Sequence, residues 1–190
     1  DSQGLLDDLR SDAVARQHNL PGSRFSTNAI PVGWCSWYQF SSEQYTGTIT
    51  PESLEDNLLA LNGLQSRLPL KVFQIDDGYQ AQIGDWADFS AGFPQGVAPL
   101  AEKALSLGLT PGLWLAPFIV HPKSNLAKSH PDWLLRGKLG RPANAGYLWN
   151  TFVTALDLTH PDALAYASEA IHRAAHDWKF SYLKLDFLYA

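Results

Sequence analysis

Short, nearly continuous apolar runs alternate along this chain with stretches in which leucine or alanine recurs every three or four residues. Runs of the first kind occupy residues 31–38 (PVGWCSWY), 70–79 (LKVFQIDDGY), 110–120 (TPGLWLAPFIV) and 181–190 (SYLKLDFLYA). Runs of that length and composition predict strands buried on both faces. Thr50 and Pro51 open a helix with Glu52 and Glu55 in its first turn, and Leu54, Leu58, Leu61, Leu64 and Leu68 share one face. A second helix is expected over residues 97–107, closed by Gly108. A third begins near Pro161 and packs through Leu164, Ala167, Ile171, Ala174 and Trp178. Residues 121–155 read as one long loop. Upstream, residues 5–16 have the pattern of a short helix, and residues 19–30, with Pro21 and Gly22, that of a linker leading in from a preceding region.

Strand and helix alternate from residue 31 onward, which predicts an α/β fold with a parallel sheet covered by helices. Two architectures satisfy that pattern. A doubly wound sheet places its site at a switch point, but the first strand-to-helix turn here has no G-x-G-x-x-G and no G-x-x-x-x-G-K. A (β/α)8 TIM barrel collects its functional residues at the carboxyl ends of its strands. Each predicted strand ends in polar or aromatic residues, namely Trp37, Asp76 with Asp77, Pro117, and Asp186. A complete barrel takes about 250 residues. Residues 31–190 therefore read as the N-terminal half of one, strands 1 to 4.

Composition narrows the class. Hydrophobic residues make up 45% of the 190 and aromatics 12%, which argues for a packed core rather than disorder. A net charge of -5 with no basic cluster argues against a nucleic-acid partner. No apolar run reaches the roughly 20 residues a bilayer crossing needs, so no membrane association is expected. The opening DSQGLLDDLR has neither the basic nor the apolar part of a signal peptide; the compartment stays open, with the cytoplasm slightly favoured. Cys35 is the sole cysteine, and it and the histidines lack metal-ligand spacing, so no metal or cofactor is expected. Methionine is missing and the last strand stops four residues after Asp186, so the chain reads as a piece of a larger protein. The expected partner is then a missing second half of the barrel, or another chain covering the open sheet edge.

Candidate chemistry lies at the strand ends. Lys184 and Asp186 are two apart on a strand and so share a face. Charges inside an apolar strand are costly unless paired or used, and a lysine beside Asp186 would keep that carboxylate ionised, as a nucleophile requires. Asp76 and Asp77 are neighbours; both reach a pocket if the chain turns at Gly78. Taken by themselves, these residues favour a plain Asp77-Gly78 turn with a solvated Asp76. Tryptophans accumulate nearby, with Trp37 and Trp114 closest to strand ends, where aromatic faces could stack on sugar rings.

In order, GWCSWY (33–38), QIDDGYQ (74–80), GLWLAPF (112–118), HPDW (130–133), LDLTHP (156–161) and YLKLDF (182–187) resemble the melibiase-type α-galactosidases of glycoside hydrolase family 36, which include plant raffinose synthases. The resemblance runs from about residue 32 to the end. It implies a catalytic (β/α)8 barrel that retains anomeric configuration and acts on α-galactoside oligosaccharides without a cofactor. On the family's K-x-D motif, Asp186 is implied as the catalytic nucleophile and Lys184 as a sugar-hydroxyl ligand. Asp76 and Asp77 are implied to grip the galactose hydroxyls, the axial O4 among them, with Trp37 and Trp114 as pocket wall. The family's acid/base aspartate would lie beyond Ala190, which implies that these residues alone turn over little substrate. Family members often show K-W-D-x-N where this chain has Lys184-Leu185-Asp186-Phe187-Leu188, a departure that bears on substrate range. Three alternatives remain: a galactosyltransferase of raffinose-synthase type, a metal-dependent enolase-like barrel with Asp76, Asp77 and Asp186 around Mg²⁺, and a carbohydrate-binding piece without turnover.

Overall fold

The computed structural model describes residues 31–40 and 49–190; the helix and linker expected over residues 1–30 lie outside the described residues. The described residues begin with β1 (Val32–Cys35), α1 (Trp37–Phe40), α2 (Pro51–Leu64), β2 (Leu70–Ile75), α3 (Ala98–Ser106) and β3 (Thr110–Leu115). An insert follows, made of β4 (Ile119–Val120), α4 (Asn125–Ser129), a 3-10 turn at Pro131–Trp133, β5 (Gly146–Leu148) and β6 (Thr151–Ala155). The chain then forms α5 (Pro161–His172), which widens into a π turn over Arg173–Asp177, and β7 (Tyr182–Leu185).

Strands β1, β2, β3 and β7 are parallel neighbours in that order. Sequential order without reversal is the winding of a barrel; a doubly wound sheet would change direction at its switch point. These four strands with their crossover helices are the N-terminal half of a (β/α)8 barrel. Close packing between strands depends on small residues at two positions. Gly112 lies opposite Gln74 on one side and Tyr182 on the other. A Cβ there would meet Tyr182 Cδ1 at 2.9 Å and Gln74 Cβ at 3.0 Å. At Gly33, beside the register shift of β1, a Cβ would strike the Val72 carbonyl and lie 2.6 Å from Val72 Cβ.

Each helix follows from local signals and then from what it buries. Thr50 Oγ1 accepts from Ser53 N (3.2 Å) while Ser53 Oγ accepts from Thr50 N (3.0 Å), a reciprocal cap that starts α2. Leu54, Leu58 and Leu61 of α2 are buried, as their spacing predicts; Leu64 and Leu68 are exposed because the helix ends at Leu64. In α5 the buried face is Ala163, Ala167 and Ala170, continued by Ala174, and Leu164 points outward. Small residues let this helix sit close to the layer beneath it, so the expected leucine contact is absent.

Residues 121–155 are not a plain loop. The run 110–120 breaks at Ala116–Pro117 into β3 and β4, and β4, β6 and β5 form an antiparallel sheet in that order. Buried Asp85 tethers this insert to the loop after β2, accepting from the backbone N–H of Asn125 (2.8 Å) and Leu126 (2.9 Å) at the start of α4. Among the described residues no helix is long and apolar enough to cross a membrane.

Candidate active site

A cavity of about 370 Å³ opens where the carboxyl ends of the parallel strands meet the insert, and Asp76, Asp77, Lys184 and Asp186 all line it. Trp37 and Trp114 line it too, so the cavity gathers every candidate that the sequence singled out. Leu148, Trp149 and Phe187 complete the wall. At roughly 300–1,000 Å³ for ligand pockets in general, this volume is at the small end, suited to a small ligand.

Register explains the convergence. Trp114 of β3 pairs directly with Lys184 of β7, and Gln74 of β2 lies opposite Gly112, two residues before Trp114. Asp76, two residues beyond Gln74, therefore falls in the same layer as Trp114 and Lys184. Asp76 is 2% exposed. Its Oδ2 accepts from Lys184 Nζ (2.8 Å), Gln74 Nε2 (2.7 Å) and Cys35 Sγ (3.4 Å), and its Oδ1 from Asp77 N (3.1 Å). The Ser36 hydroxyl accepts from the Asp76 backbone N–H at 2.8 Å, fixing the strand end. Asp76 is thus no solvated turn residue.

Lys184 shares the cavity with Asp186, as strand alternation predicts, yet its hydrogen bond goes to Asp76 across the sheet. Burial pulls the lysine pKa down; the hydrogen bond and charge of Asp76 outweigh this, with help from Cys35 and Asp186, and hold it above the ordinary 10.5. Burial likewise pushes the Cys35 thiol up to about 11, with the Asp76 charge adding to it.

Asp186 stands just past β7, where its backbone N–H still extends the ladder to the Leu115 carbonyl at 2.8 Å. Trp114 Nε1 donates to its Oδ2 (3.0 Å) and the Phe187 N–H to its Oδ1 (2.9 Å). Trp114 is itself fixed from behind. Its backbone carbonyl accepts from the fully buried Tyr79 hydroxyl (3.1 Å), and Trp86 packs edge-on against its ring at 5.8 Å. Burial, with the nearby Asp77 and Asp76 charges, drives the Tyr79 pKa well above its usual value, so it stays a donor.

Asp77 turns the other way at Gly78, whose φ of +122° lies in the region only glycine enters freely. Its Oδ1 accepts from Gln80 Nε2 and its Oδ2 from Trp149 Nε1 at 2.7 Å. Trp149 and Phe187 line the cavity, and sequence reasoning did not single them out. Trp149 lies in what reads as a long loop, and its only signal is an Asn-containing dipeptide between two short apolar runs. Phe187 was visible as a departure from the family motif, without any hint that it forms cavity wall. Among the described residues no group of three or more His, Cys, Asp or Glu is placed to hold a metal ion. Asp76, Asp77 and Asp186 face one cavity but are aimed at different donors.

Comparison with known proteins gives a single direction. The Melibiase family model matches residues 23–188. Probable alpha-galactosidase C of Aspergillus flavus is 28% identical over 98% of this chain and 25% of its own length. Alpha-galactosidase AgaA of Geobacillus stearothermophilus is 30% identical over 70% of this chain and 18% of its own. Among solved structures, the alpha-galactosidase TtGalA of Thermus thermophilus in complex with stachyose superposes with a TM-score of 0.76 at 40% identity, covering 86% of this chain and 34% of that one. The chain thus spans a quarter or less of the length of these two curated relatives.

Proposed function

This chain belongs to the Melibiase family, and from that premise we propose that the full-length gene product is a retaining α-galactosidase in which Asp186 is the nucleophile. The observation that carries this reading is one cavity holding Asp186, oriented by Trp114 Nε1 at 3.0 Å, together with the Asp76–Lys184 pair at 2.8 Å. Asp76, Asp77 and Lys184 bind ring hydroxyls, and Trp37 and Trp114 supply the apolar wall. A carboxylate oxygen of Asp186 attacks C1, the bond from C1 to the leaving oxygen breaks, and a glycosyl ester forms. Water then attacks C1 from the other face, releasing the carboxylate and retaining configuration.

A retaining mechanism needs a second carboxyl group roughly 5–5.5 Å from the first, to protonate the leaving oxygen and later accept a proton from water. None of the three cavity carboxylates is free for that work. Asp76 accepts from Lys184 and Gln74, Asp77 from Gln80 and Trp149, and Asp186 from Trp114 and Phe187. The proton donor is a residue other than these. The family's Thermus relative, solved with stachyose, supports an oligosaccharide substrate whose terminal galactose enters this cavity.

Asp186→Asn in the full-length gene product tests the reading. Hydrolysis of an aryl α-galactoside is expected to fall on the order of 10⁴-fold while galactose binding, read by calorimetry, persists. Unchanged turnover would instead make this cavity a binding site without a nucleophile.

A further inference from the structure

Two tryptophans from different parts of the fold each donate an indole N–H to a different carboxylate of the cavity. Trp114 holds Asp186, and Trp149 holds Asp77 at 2.7 Å. The two rings meet edge-on, 6.4 Å apart at 67°, and Phe187 closes on Trp149 from the other side at 5.6 Å and 66°. Trp149 reaches this position at a conformational cost. It is the first residue of the two-residue loop joining β5 to β6, where Leu148 pairs with Thr151. Trp149 (φ 49°) and Asn150 (φ 58°) are both left-handed. That is the backbone of a hairpin turn which favours Asn-Gly, and a bulky residue in it costs about 1–3 kcal/mol. Its neighbours across the hairpin, Tyr147 and Phe152, are 61% and 64% exposed, so the hairpin itself is not the reason an aromatic sits at the tip. Such strain persists where the surroundings over-determine it, and here the surroundings are Asp77, Trp114 and Phe187.

From this geometry we infer that Trp149 is a specificity-determining residue of the sugar site: it fixes the plane of the Asp77 carboxylate and closes the cavity over the sugar. The inference rests on the galactoside reading of the cavity. Gln80 and Trp149 occupy one lone pair on each oxygen of Asp77, which lines the cavity, and leave one further acceptor position on each oxygen. A hydroxyl of the matching epimer meets them; the other epimer leaves them unpaired in a partly dry cavity. Trp149 therefore acts on epimer choice through Asp77, and on cavity shape through its ring.

The test uses the full-length gene product and paired aryl α-galactoside and α-glucoside substrates. Trp149→Phe keeps the ring and removes the donor. It is expected to lower the galactoside-to-glucoside ratio of kcat/KM by about tenfold, in line with losing one hydrogen bond to a charged group, mainly through a higher galactoside KM. Trp149→His, which restores a ring N–H, is expected to recover part of that ratio. In an Asp77→Asn background the Phe substitution should change the ratio little further, since both act on one carboxylate. An unchanged ratio in Trp149→Phe, or full additivity with Asp77→Asn, overturns the inference. Should Trp149→Phe not fold, Trp149→Leu, which also lacks the donor, combined with Asp77→Asn gives the same coupling. If Asp186→Asn keeps full turnover, the galactosidase reading fails first; if it does not, and the epimer ratio is indifferent to Trp149, only this inference fails.

Discussion

In the parallel sheet, Asp76, Lys184 and Asp186 sit on or just beyond strands and find partners among their neighbours in the sheet. Asp76 is 2% exposed and holds Lys184, Gln74 and Cys35. In the insert, the cavity is reached by a hairpin tip in left-handed backbone, and much of the surrounding surface is open, with Leu139 at 87% exposure. Strand register places a side chain to within a fraction of a pleat without local cost, so groups that must hold charge in fixed geometry belong there. A hairpin tip is placed only by its turn and by what it touches. It is the part of the site where length and shape can vary while the rim of the barrel stays intact. On the function proposed above, the charged grip and nucleophile would come from the sheet, and the wall that selects among sugars from the insert.

The sharpest challenge to this contrast is Lys184→Met, which strands a buried Asp76 carboxylate. The side chains of the pair are 35% and 3% exposed, so a loss of about 3 kcal/mol, the lower end for breaking a buried pair, is expected in urea unfolding. A loss below about 1 kcal/mol would place the sheet pair among ordinary surface ion pairs. The pH dependence has a definite sign. The folded protein raises the Lys184 pKa above 10.5, so its contribution is intact below that pH and disappears as pH climbs through the raised value. The stability gap between wild type and Lys184→Met should stay level at neutral pH and narrow above about 10.5. Cys35, raised from 9.0 to about 11, shifts stability in the same direction in both proteins and largely cancels in the difference.

A smaller effect is expected from Gly33→Ala, where the new methyl would overlap Val72 in the neighbouring strand. Overpacking of this kind costs about 1–3 kcal/mol, read as a lower melting temperature. A neutral result would mean that β1 can shift its register, and that the sheet is less rigid than the site requires. The smallest effect should come from rebuilding the hairpin tip as Asn-Gly with Trp149→Asn and Asn150→Gly. Relief of backbone strain offsets the lost aromatic contacts, so stability should stay within about 1 kcal/mol of wild type while epimer selectivity falls. A loss above about 3 kcal/mol would make the indole a structural anchor and erase the division between sheet and insert.

Much of this architecture is legible in the sequence. Near-continuous apolar strands separated by leucine-striped helices point to the parallel half-barrel, because burial on two faces and a helical stripe leave different periodicities. Lys184 and Asp186 can be picked out because charge inside an apolar strand is costly unless paired or used; Asp76, Asp77, Trp37 and Trp114 are picked out by their place near strand ends and by the family resemblance. Sequence also over-read three outer leucines, Leu64, Leu68 and Leu164, since periodicity reports a face but not where a helix stops or what it packs against. The small antiparallel sheet formed by residues 119–155 is unreadable in the sequence because its strands are short, at two, three and five residues, and the insert is held by Asp85 and by packing on the barrel.

The chain alone determined which residues carry charge in apolar surroundings, and therefore which could form the site, because that cost is local and written in neighbouring residues. Only the tertiary structure decided who pairs with whom: Lys184 with Asp76 rather than with the nearer-in-sequence Asp186, and Trp149 with Asp77 across 72 positions. Those choices depend on register between strands and on the reach of an insert, distances that no pattern along one dimension encodes.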